Sequence, residues 1–213
     1  FHKNTQVHFT ISDDFLTPLK EYVEHRKNIE KDSPWPNSVT FSIQSKSSDT
    51  IALDLENKPF RDSKGRLVLR PAGHGALLQN LNQYSKGYDI AFIKNIDNIQ
   101  TLAAKKNAMQ YMSALAGILF TIQEKIFLFQ KELETGIANK NRIHPIFEFI
   151  KTTLSISPPP DLYSESTEKQ NLWIQKILNR PLRVCGLVRN KGEIGGLPFW
   201  VENQDKSHSL QIV

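Results

Sequence analysis

The chain has 213 residues, of which 39% are hydrophobic and 23% charged, and it carries a formal net charge of +5. These proportions are ordinary for a globular domain and exclude a low-complexity or fibrous chain. A single cysteine, Cys185, excludes an internal disulfide framework and fits a reducing compartment, so we expect a cytoplasmic protein.

The positive charge is spread along the chain, with no run of four or more basic residues and no interleaved aromatic residues. This distribution argues against nucleic-acid binding and indicates solvated faces together with a phosphate-binding cleft, so the charge permits an anionic partner without identifying it. The longest apolar run, residues 112–120, is shorter than the roughly 20 residues that cross a bilayer, so we do not expect a membrane partner. The oligomeric state stays open.

The N-terminal part of the chain predicts a strand, a helix and a second strand. Gln6–Ile11 alternates between polar and apolar residues. Residues 39–43 alternate in the same way, and the strand that they predict ends on Gln44. The residues between them have a helix start and an apolar stripe at helical spacing. His8 has no second histidine or cysteine at ligand spacing, so we expect a satisfied core or cleft-edge residue and not a metal ligand.

Residues 67–98 predict a strand, a glycine loop, a helix, a second strand and an acidic loop. The strands are residues 67–69 and 90–93, and residues 71–75 break the pattern between the first strand and the helix. Such a unit predicts two parallel strands with a helix packed across them. Both polar loops would then lie at the carboxyl edge of the sheet, where open α/β sheets bind ligands.

The glycine loop has the features of a ligand-binding loop. Gly73 and Gly75 lack a Cβ, so the backbone can turn sharply and a ligand can approach closely. The loop leads into a helix N-terminus, which favours an anion such as phosphate, and His74 would place a hydrogen-bond donor in the same space. A plain strand-to-helix turn is the alternative interpretation.

The acidic loop after the second strand contains Asp97, whose carboxylate is suited to Mg²⁺ that bridges phosphate oxygens. Asn95 and Asn98 flank it and could form hydrogen bonds with a sugar or a metal-bound water. A turn or a helix cap would use the same aspartate, so the pattern alone leaves both interpretations open.

The segments 71–75 and 92–98 resemble the UTP-dependent sugar-1-phosphate uridylyltransferases, with their P-G-H-G and N-x-D-N motifs. Residues 70–78 and 195–201 resemble more closely an uncharacterised bacterial family (DUF4301-like) with a nucleotidyltransferase-like fold. The resemblance implies an α/β fold with a Rossmann-like, GT-A-like mixed sheet, helices on both faces and a helical insertion.

The resemblance also implies a role for each matching residue. Gln44 would recognise the base, as a matching glutamine does in the pyrophosphorylases. The other implied nucleotide-binding residues are Gly73, His74 and Gly75. Asn95, Asp97 and Asn98 would bind the sugar phosphate, Asp97 would hold Mg²⁺, and Asp97 and His74 would be the catalytic residues.

The glycine-rich loop and downstream lysine that grip the triphosphate in that family are absent from this chain. The chain also begins at Phe1 and ends within a strand-like segment, residues 210–213. We therefore expect a fragment, truncated at both ends and inactive or nearly so by itself.

The remaining residues predict a helical insertion and a return to the sheet. Residues 101–134 predict one long helix, or two broken near Gly117, and Pro145 is expected to open a further helix. Either Ser164 or Ser166 would cap a third helix. The expected organisation is an α/β core over 1–98, a helical insertion over 99–180 that covers the cleft or forms a dimer surface, and a sheet segment over 181–213.

Within the last segment, residues 182–188 predict a strand with Cys185 as a small buried residue, and a hairpin follows. The polar loop between them supplies further candidate site residues: Asn190, Lys191, Glu193 and Gly195. A mobile loop that does not contact the substrate is the alternative interpretation.

The function expected first is transfer of a nucleotidyl group from an NTP, with UTP favoured, to a sugar 1-phosphate. A metal-dependent glycosyltransferase is an alternative, although Asn95 occupies the first position of the Asp-x-Asp pair that such an enzyme would use. A non-catalytic module that binds a nucleotide sugar is a third possibility.

Overall fold

The computed structural model describes residues 5–31, 36, 38–95, 101–135, 140–187, 189, 192 and 196–212. The chain divides into two compact units, Phe1–Asn95 and Ile96–Val213. Together they form a mixed α/β protein with small sheets.

The first unit begins with the expected strand, helix and strand. Strands β1 (Gln6–Ile11) and β2 (Ser38–Ile43) are parallel and in register, and helix α1 (Leu16–Ile29) connects them. Phe9 and Phe41 stack with their ring centroids 5.7 Å apart, and α1 places the Lys20 ammonium 5.9 Å from the Phe41 ring. The alternation of the two strands therefore separates an apolar face, next to α1, from a polar face.

The central part of this unit differs from the prediction. Strands β3 (Thr50–Ile51) and β4 (Leu69–Arg70) pair antiparallel, and bridges between Leu53 and Pro59 and between Arg61 and Leu67 continue the pairing. The predicted parallel pairing of residues 67–69 is therefore wrong.

The physical reason is a local turn. The Asp62 Oδ1 atom accepts hydrogen bonds from the backbone N–H groups of Lys64 and Arg66, at 2.8 and 3.0 Å, and so reverses the chain just before β4. Such Asx turns fix an antiparallel hairpin from a few neighbouring residues, whereas a parallel pair needs a distant strand.

The second predicted strand of that unit is also absent: residues 90–93, which the structure describes, form no strand. The side chains of Phe92 and Ile93 are 60% and 68% exposed. After β4 the chain instead forms a 3₁₀ turn at His74–Leu77 and the short helix α2 (Leu78–Tyr84). A short apolar run becomes a strand only where a neighbouring strand satisfies its backbone.

The second unit combines three helices with a small antiparallel sheet. The helices are α3 (Leu102–Glu134), α4 (Lys140–Thr152) and α5 (Thr167–Leu178). The strands are β5 (Ile156–Ser157), β6 (Pro198–Glu202) and β7 (His208–Ile212), in the order β5-β7-β6.

Several sequence predictions for this unit are confirmed. Helix α3 passes through Gly117 without a break, and β6 and β7 form the expected hairpin. Ser166 is the cap of α5, since its Oγ accepts a hydrogen bond from the backbone N–H of Lys169 at 3.4 Å.

Two predictions for this unit are wrong. Helix α4 begins at Lys140, so Pro145 lies inside it and does not open it. Because proline has no backbone N–H, the helix lacks one hydrogen-bond donor near its first turns. Residues 182–187, all described, form no strand, and Cys185 is exposed. An alternating segment without a neighbouring strand has no sheet face to bury.

The core of the second unit lies between the end of α3 and helices α4 and α5. Buried side chains recur along all three helices at spacings of three and four residues, and Leu162 joins them from the 3₁₀ turn Pro160–Ser164. They are Ile126, Phe129, Leu133, Ile143, Ile146, Phe147, Phe149, Ile150, Leu162, Trp173, Ile174, Ile177 and Leu178. Helical periodicity alone predicted most of this set.

Helix α3 is also long and apolar enough, over Ala104–Glu134, to cross a membrane by length and composition. Its last turns nevertheless contribute Ile126, Phe129 and Leu133 to the core described above.

We expect Ile174→Ala to lower the free energy of unfolding of the second unit by about 2–5 kcal/mol, because it leaves a cavity where a side chain with no exposed surface was packed. Urea unfolding followed by Trp173 fluorescence measures this change. Leu172→Ala on the same helix is the control, since that side chain is 68% exposed and its loss should cost less than about 0.5 kcal/mol. Equal effects of the two substitutions would contradict this packing.

Candidate functional site

The polar face of the β1–β2 pair is organised around His8. Its Nδ1 lies 2.7 Å from Thr40 Oγ1 and its Nε2 lies 2.8 Å from Ser42 Oγ. The ring of Tyr84, from α2, stacks on the imidazole with the ring centroids 4.1 Å apart. His8 is thus a half-buried residue whose ring nitrogens both have partners, as the prediction of a satisfied core or cleft-edge residue required.

Asn80 fixes α2 to the same face. Its side chain is buried, and its Nδ2 donates to Ser42 Oγ at 2.9 Å and to the backbone carbonyl of Ile43 at 3.1 Å. Ile43 is the last residue of β2. A helix that follows the glycine loop is therefore attached to the carboxyl end of a parallel strand.

The surrounding groups are compatible with a complete hydrogen-bond pattern around a neutral His8. Gln6 Nε2 donates to Thr40 Oγ1 at 2.6 Å, and the Thr40 hydroxyl can donate to His8 Nδ1. With the ring proton on Nε2, His8 donates to Ser42 Oγ, and the Ser42 hydroxyl can donate to Thr10 Oγ1, which lies 3.1 Å away. Every group is satisfied in this neutral tautomer. A further proton on Nδ1 would displace the hydrogen that Thr40 donates.

The candidate site is an open depression of about 510 Å³ beside this attachment point. It lies at the start of α2 and at the loop that follows β2. Its lining residues are Ser48, Gly75, Ala76, Leu78, Gln79 and Asn82.

The structure brings two parts of the predicted nucleotide site together here. Gln44 follows β2, and its Nε2 donates to Ser48 Oγ at 3.1 Å. Ser48 and Gly75 both line the depression. Gln44 and the glycine loop, which are about 30 residues apart in the chain, therefore lie next to the same surface.

The glycine loop has room for a ligand. A Cβ atom added at Gly73 or at Gly75 would meet no other atom within 4 Å. Gly73 has an extended backbone, with φ −66° and ψ −175°, which other residues also adopt. Neither the backbone conformation at Gly73 nor packing at either glycine therefore requires glycine within the folded chain.

The remaining predicted residues are located only in part. His74 begins the 3₁₀ turn, although its side chain lies outside the described part of the structure, and Asn95 is the last described residue of the first unit. Asp97 and Asn98 lie outside the described residues. So do the further candidates Asn190, Lys191, Glu193 and Gly195. Among the described residues, no group of three His, Cys, Asp or Glu side chains could hold a metal ion.

The chemistry of the depression differs from that expected for a phosphate site. Its lining residues within the described part of the structure are all uncharged, and α2 has only seven residues after the 3₁₀ turn. A short helix provides a small dipole, and none of the described residues that line the depression is a lysine or arginine that would add to it. Amide, hydroxyl and apolar groups suit an uncharged, hydrogen-bonding ring.

Sequence reasoning missed two lining residues, Gln79 and Asn82. The signal for both was available, because residues three apart on a helix share a face and this helix directly follows the glycine loop. Ser48 lies in the hydroxyl-rich segment 45–50, whose composition favours either a cleft lining or a plain turn, and the structure places it in the lining.

The described elements define a mixed α/β protein with a polar site at the end of a parallel strand. The whole chain, residues 1–213, matches a family described as a domain of unknown function (DUF4301), and the chain belongs to this family. Comparisons with curated proteins and with solved structures gave no match.

We expect the first unit to lose stability as the pH falls below about 6.5. Burial lowers the pKa of His8 below its ordinary value of 6.5. Between 6.5 and that lower value, the unfolded chain therefore binds a proton that the folded chain does not. Urea unfolding at a series of pH values, together with NMR titration of His8, measures the effect.

The control is His8→Gln, which keeps a donor and an acceptor but cannot titrate. The loss of stability on acidification should be smaller in this variant than in the natural protein. An equal loss in both, or a His8 pKa at or above 6.5, would contradict the neutral network.

Proposed function

We propose that this chain contributes the substrate-binding part of a nucleotidyltransferase with a Rossmann-like fold, in which a nucleotidyl group passes from an NTP to a sugar 1-phosphate. UTP is the favoured donor. The observation that supports this proposal best is the position of Gly75 and Ser48 around one depression at the carboxyl end of β2.

The position supports a nucleotide ligand because open α/β folds bind nucleotides beyond the carboxyl ends of their parallel strands. The β1–β2 pair is parallel and has a helix near each face, and the depression lies past the end of β2. The open space above Gly73 and Gly75 allows the main chain to be approached closely.

The uncharged lining favours the base or the sugar ring of the nucleotide over its phosphates. Gln79 and Asn82 each offer an amide N–H₂ and a carbonyl oxygen, which together can match the donors and acceptors of a uracil edge. Leu78 and Ala76 supply apolar contact area. Gln44 would help to orient the ligand through Ser48.

The phosphates would then lie outside the depression, with the charged groups that the sequence predicts. Asp97 would hold Mg²⁺, which neutralises phosphate charge when bound, and His74 would donate a hydrogen bond to a phosphate oxygen. Asn95 and Asn98 would bind the sugar phosphate.

In the reaction, an oxygen of the sugar phosphate attacks the α-phosphorus of the NTP. A new P–O bond forms, and the bond to the leaving pyrophosphate breaks. Such a transfer depends mainly on positioning and charge neutralisation, so side chains that orient the two substrates do most of the protein's work.

We expect Gln79→Ala and Asn82→Ala each to weaken binding of UTP, and of uridine without phosphates, by roughly tenfold through the loss of one buried hydrogen bond. Isothermal titration calorimetry measures both ligands. Gln83→Ala is the matched control, because Gln83 is an exposed amide on the same helix that does not line the depression. Asp97→Asn should remove the Mg²⁺-dependent part of UTP binding and leave uridine unaffected.

Pyrophosphate release from UTP and a sugar 1-phosphate then separates turnover from binding alone. If the full-length protein binds a UDP-sugar but releases no pyrophosphate, the proposed transferase function is wrong. A glycosyltransferase or a binding module would then be the better assignment. Unchanged affinities in both amide variants would contradict the proposed site.

A further inference from the structure

A second depression, of about 470 Å³, lies in the second unit between the end of α5 and the turn that joins β6 to β7. Its described lining residues are Lys176, Arg180, Asn203, Gln204 and Asp205. In contrast to the lining of the candidate site in the first unit, this set contains charged side chains, and its cations outnumber its carboxylate. The two depressions therefore suit different ligand groups.

The wall formed by the end of α5 supplies the positive charge. Lys176 belongs to the last turn of this helix, and Arg180 follows the helix by two residues. Both side chains are exposed, and neither forms an ion pair with a side chain in the described part of the chain. Such side chains can form charge-assisted hydrogen bonds with a negatively charged ligand.

The opposite wall, the β6–β7 turn, is held in place by its own hydrogen bonds. The backbone N–H of Asn203 donates to the carbonyl of Ser207 at 2.8 Å, and Asn203 Nδ2 donates to Ser207 Oγ at 3.0 Å. Ser207 has no exposed surface. Gln204 lies exposed on this turn, where its amide N–H₂ group can donate to a ligand. A wall that is already ordered loses little conformational entropy when a ligand binds.

The carboxylate of Asp205 has donors within the protein that balance its charge. Its Oδ1 accepts hydrogen bonds from the hydroxyl and from the backbone N–H of Ser207. The Ser207 hydroxyl is the main cause that holds the pKa of Asp205 below its ordinary value, and the charge of nearby Lys176 also contributes. Because Ser207 stabilises this carboxylate, Lys176 and Arg180 leave the depression positive.

The carbonyl groups at the end of α5 act against an anion, since the C-terminus of a helix carries a partial negative charge of about half a unit. Gln130 of α3 reduces this effect, because its Nε2 donates to the carbonyl of Leu178 at 3.2 Å. The full charges of Lys176 and Arg180 outweigh the partial charge that remains.

We propose that this depression binds the phosphate group of a small molecule, with Lys176, Arg180 and Gln204 as hydrogen-bond donors. The donors come from two walls, and the oxygens of a tetrahedral phosphate point in several directions and can meet both. The two oxygens of a carboxylate lie in one plane and fit a single fork of donors better. This site is independent of the proposed function, whose depression lies in the first unit. Uridine probes that depression and inorganic phosphate probes this one, so the two proposals can fail separately.

The test is titration of the protein with inorganic phosphate, followed by ¹H–¹⁵N NMR. We expect saturable shifts of the Gln204 signals. Lys176→Gln and Arg180→Gln should each raise the dissociation constant roughly tenfold, because each removes a charge-assisted hydrogen bond. Lys169→Gln is the matched control, since it removes the same charge from the same helix and Lys169 does not line the depression.

Asp205→Asn should have the opposite effect. Asparagine keeps a side-chain oxygen that can accept the hydrogen bonds from Ser207, so the turn should be retained. Loss of the negative charge should then lower the dissociation constant for phosphate severalfold. Far-UV circular dichroism and the midpoint of urea unfolding show whether each variant keeps its fold.

Shifts that do not saturate would overturn the proposal, as would unchanged affinity in Lys176→Gln and Arg180→Gln or an equal loss of affinity in Lys169→Gln. Weaker phosphate binding by a folded Asp205→Asn variant would also contradict it, because Asp205 would then help to hold the ligand. Acetate that binds more tightly than phosphate at this site would replace the phosphate group with a carboxylate.

Discussion

Burial of Asn80 against the polar face of a two-stranded parallel sheet is the constraint on which the first unit depends. Its amide reaches both Ser42 Oγ and the carbonyl of Ile43, and His8 and Tyr84 complete the contact. Buried polar groups cost free energy unless all of them are paired, so this network admits one placement of α2. An apolar interface of the same size would allow the helix to slide. The hydrogen bonds therefore determine where the glycine loop begins relative to the end of β2.

The same constraint explains the character of the candidate site. Because α2 is attached through its middle, its first turn and the loop after β2 lie side by side, and Gly75, Gln79 and Ser48 share a surface. The described residues that line this surface are uncharged, which suits an uncharged, hydrogen-bonding group. The second unit is stabilised by apolar packing and not by a polar network. Its core is apolar and formed by helices, and the first two-thirds of α3 extend beyond this core.

Local patterns predicted the elements better than they predicted their pairing. Alternation located β1 and β2, and helical spacing located α3 and the core side chains of α5, because these signals reflect which face of an element is buried. The pairing of residues 67–69 depended on the Asp62 turn, and residues 90–93 and 182–187 lacked neighbouring strands. The sequence placed Gln44 and Gly75 at one site and allowed the loop of Ser48 to line it, yet the role of Asn80 comes from tertiary contacts that no periodicity encodes. The predicted carboxylate, Asp97, lies outside the described residues.

A double-mutant cycle between Ser42 and Asn80 tests the central claim most directly. Urea unfolding of Ser42→Ala, Asn80→Ala and the double variant measures whether the two side chains stabilise the first unit together. If α2 is held on the polar face as described, the two losses should be non-additive, with a coupling free energy of about 1 kcal/mol. Additive losses would mean that the two side chains do not interact, and the position of the glycine loop beside β2 would then have no physical basis.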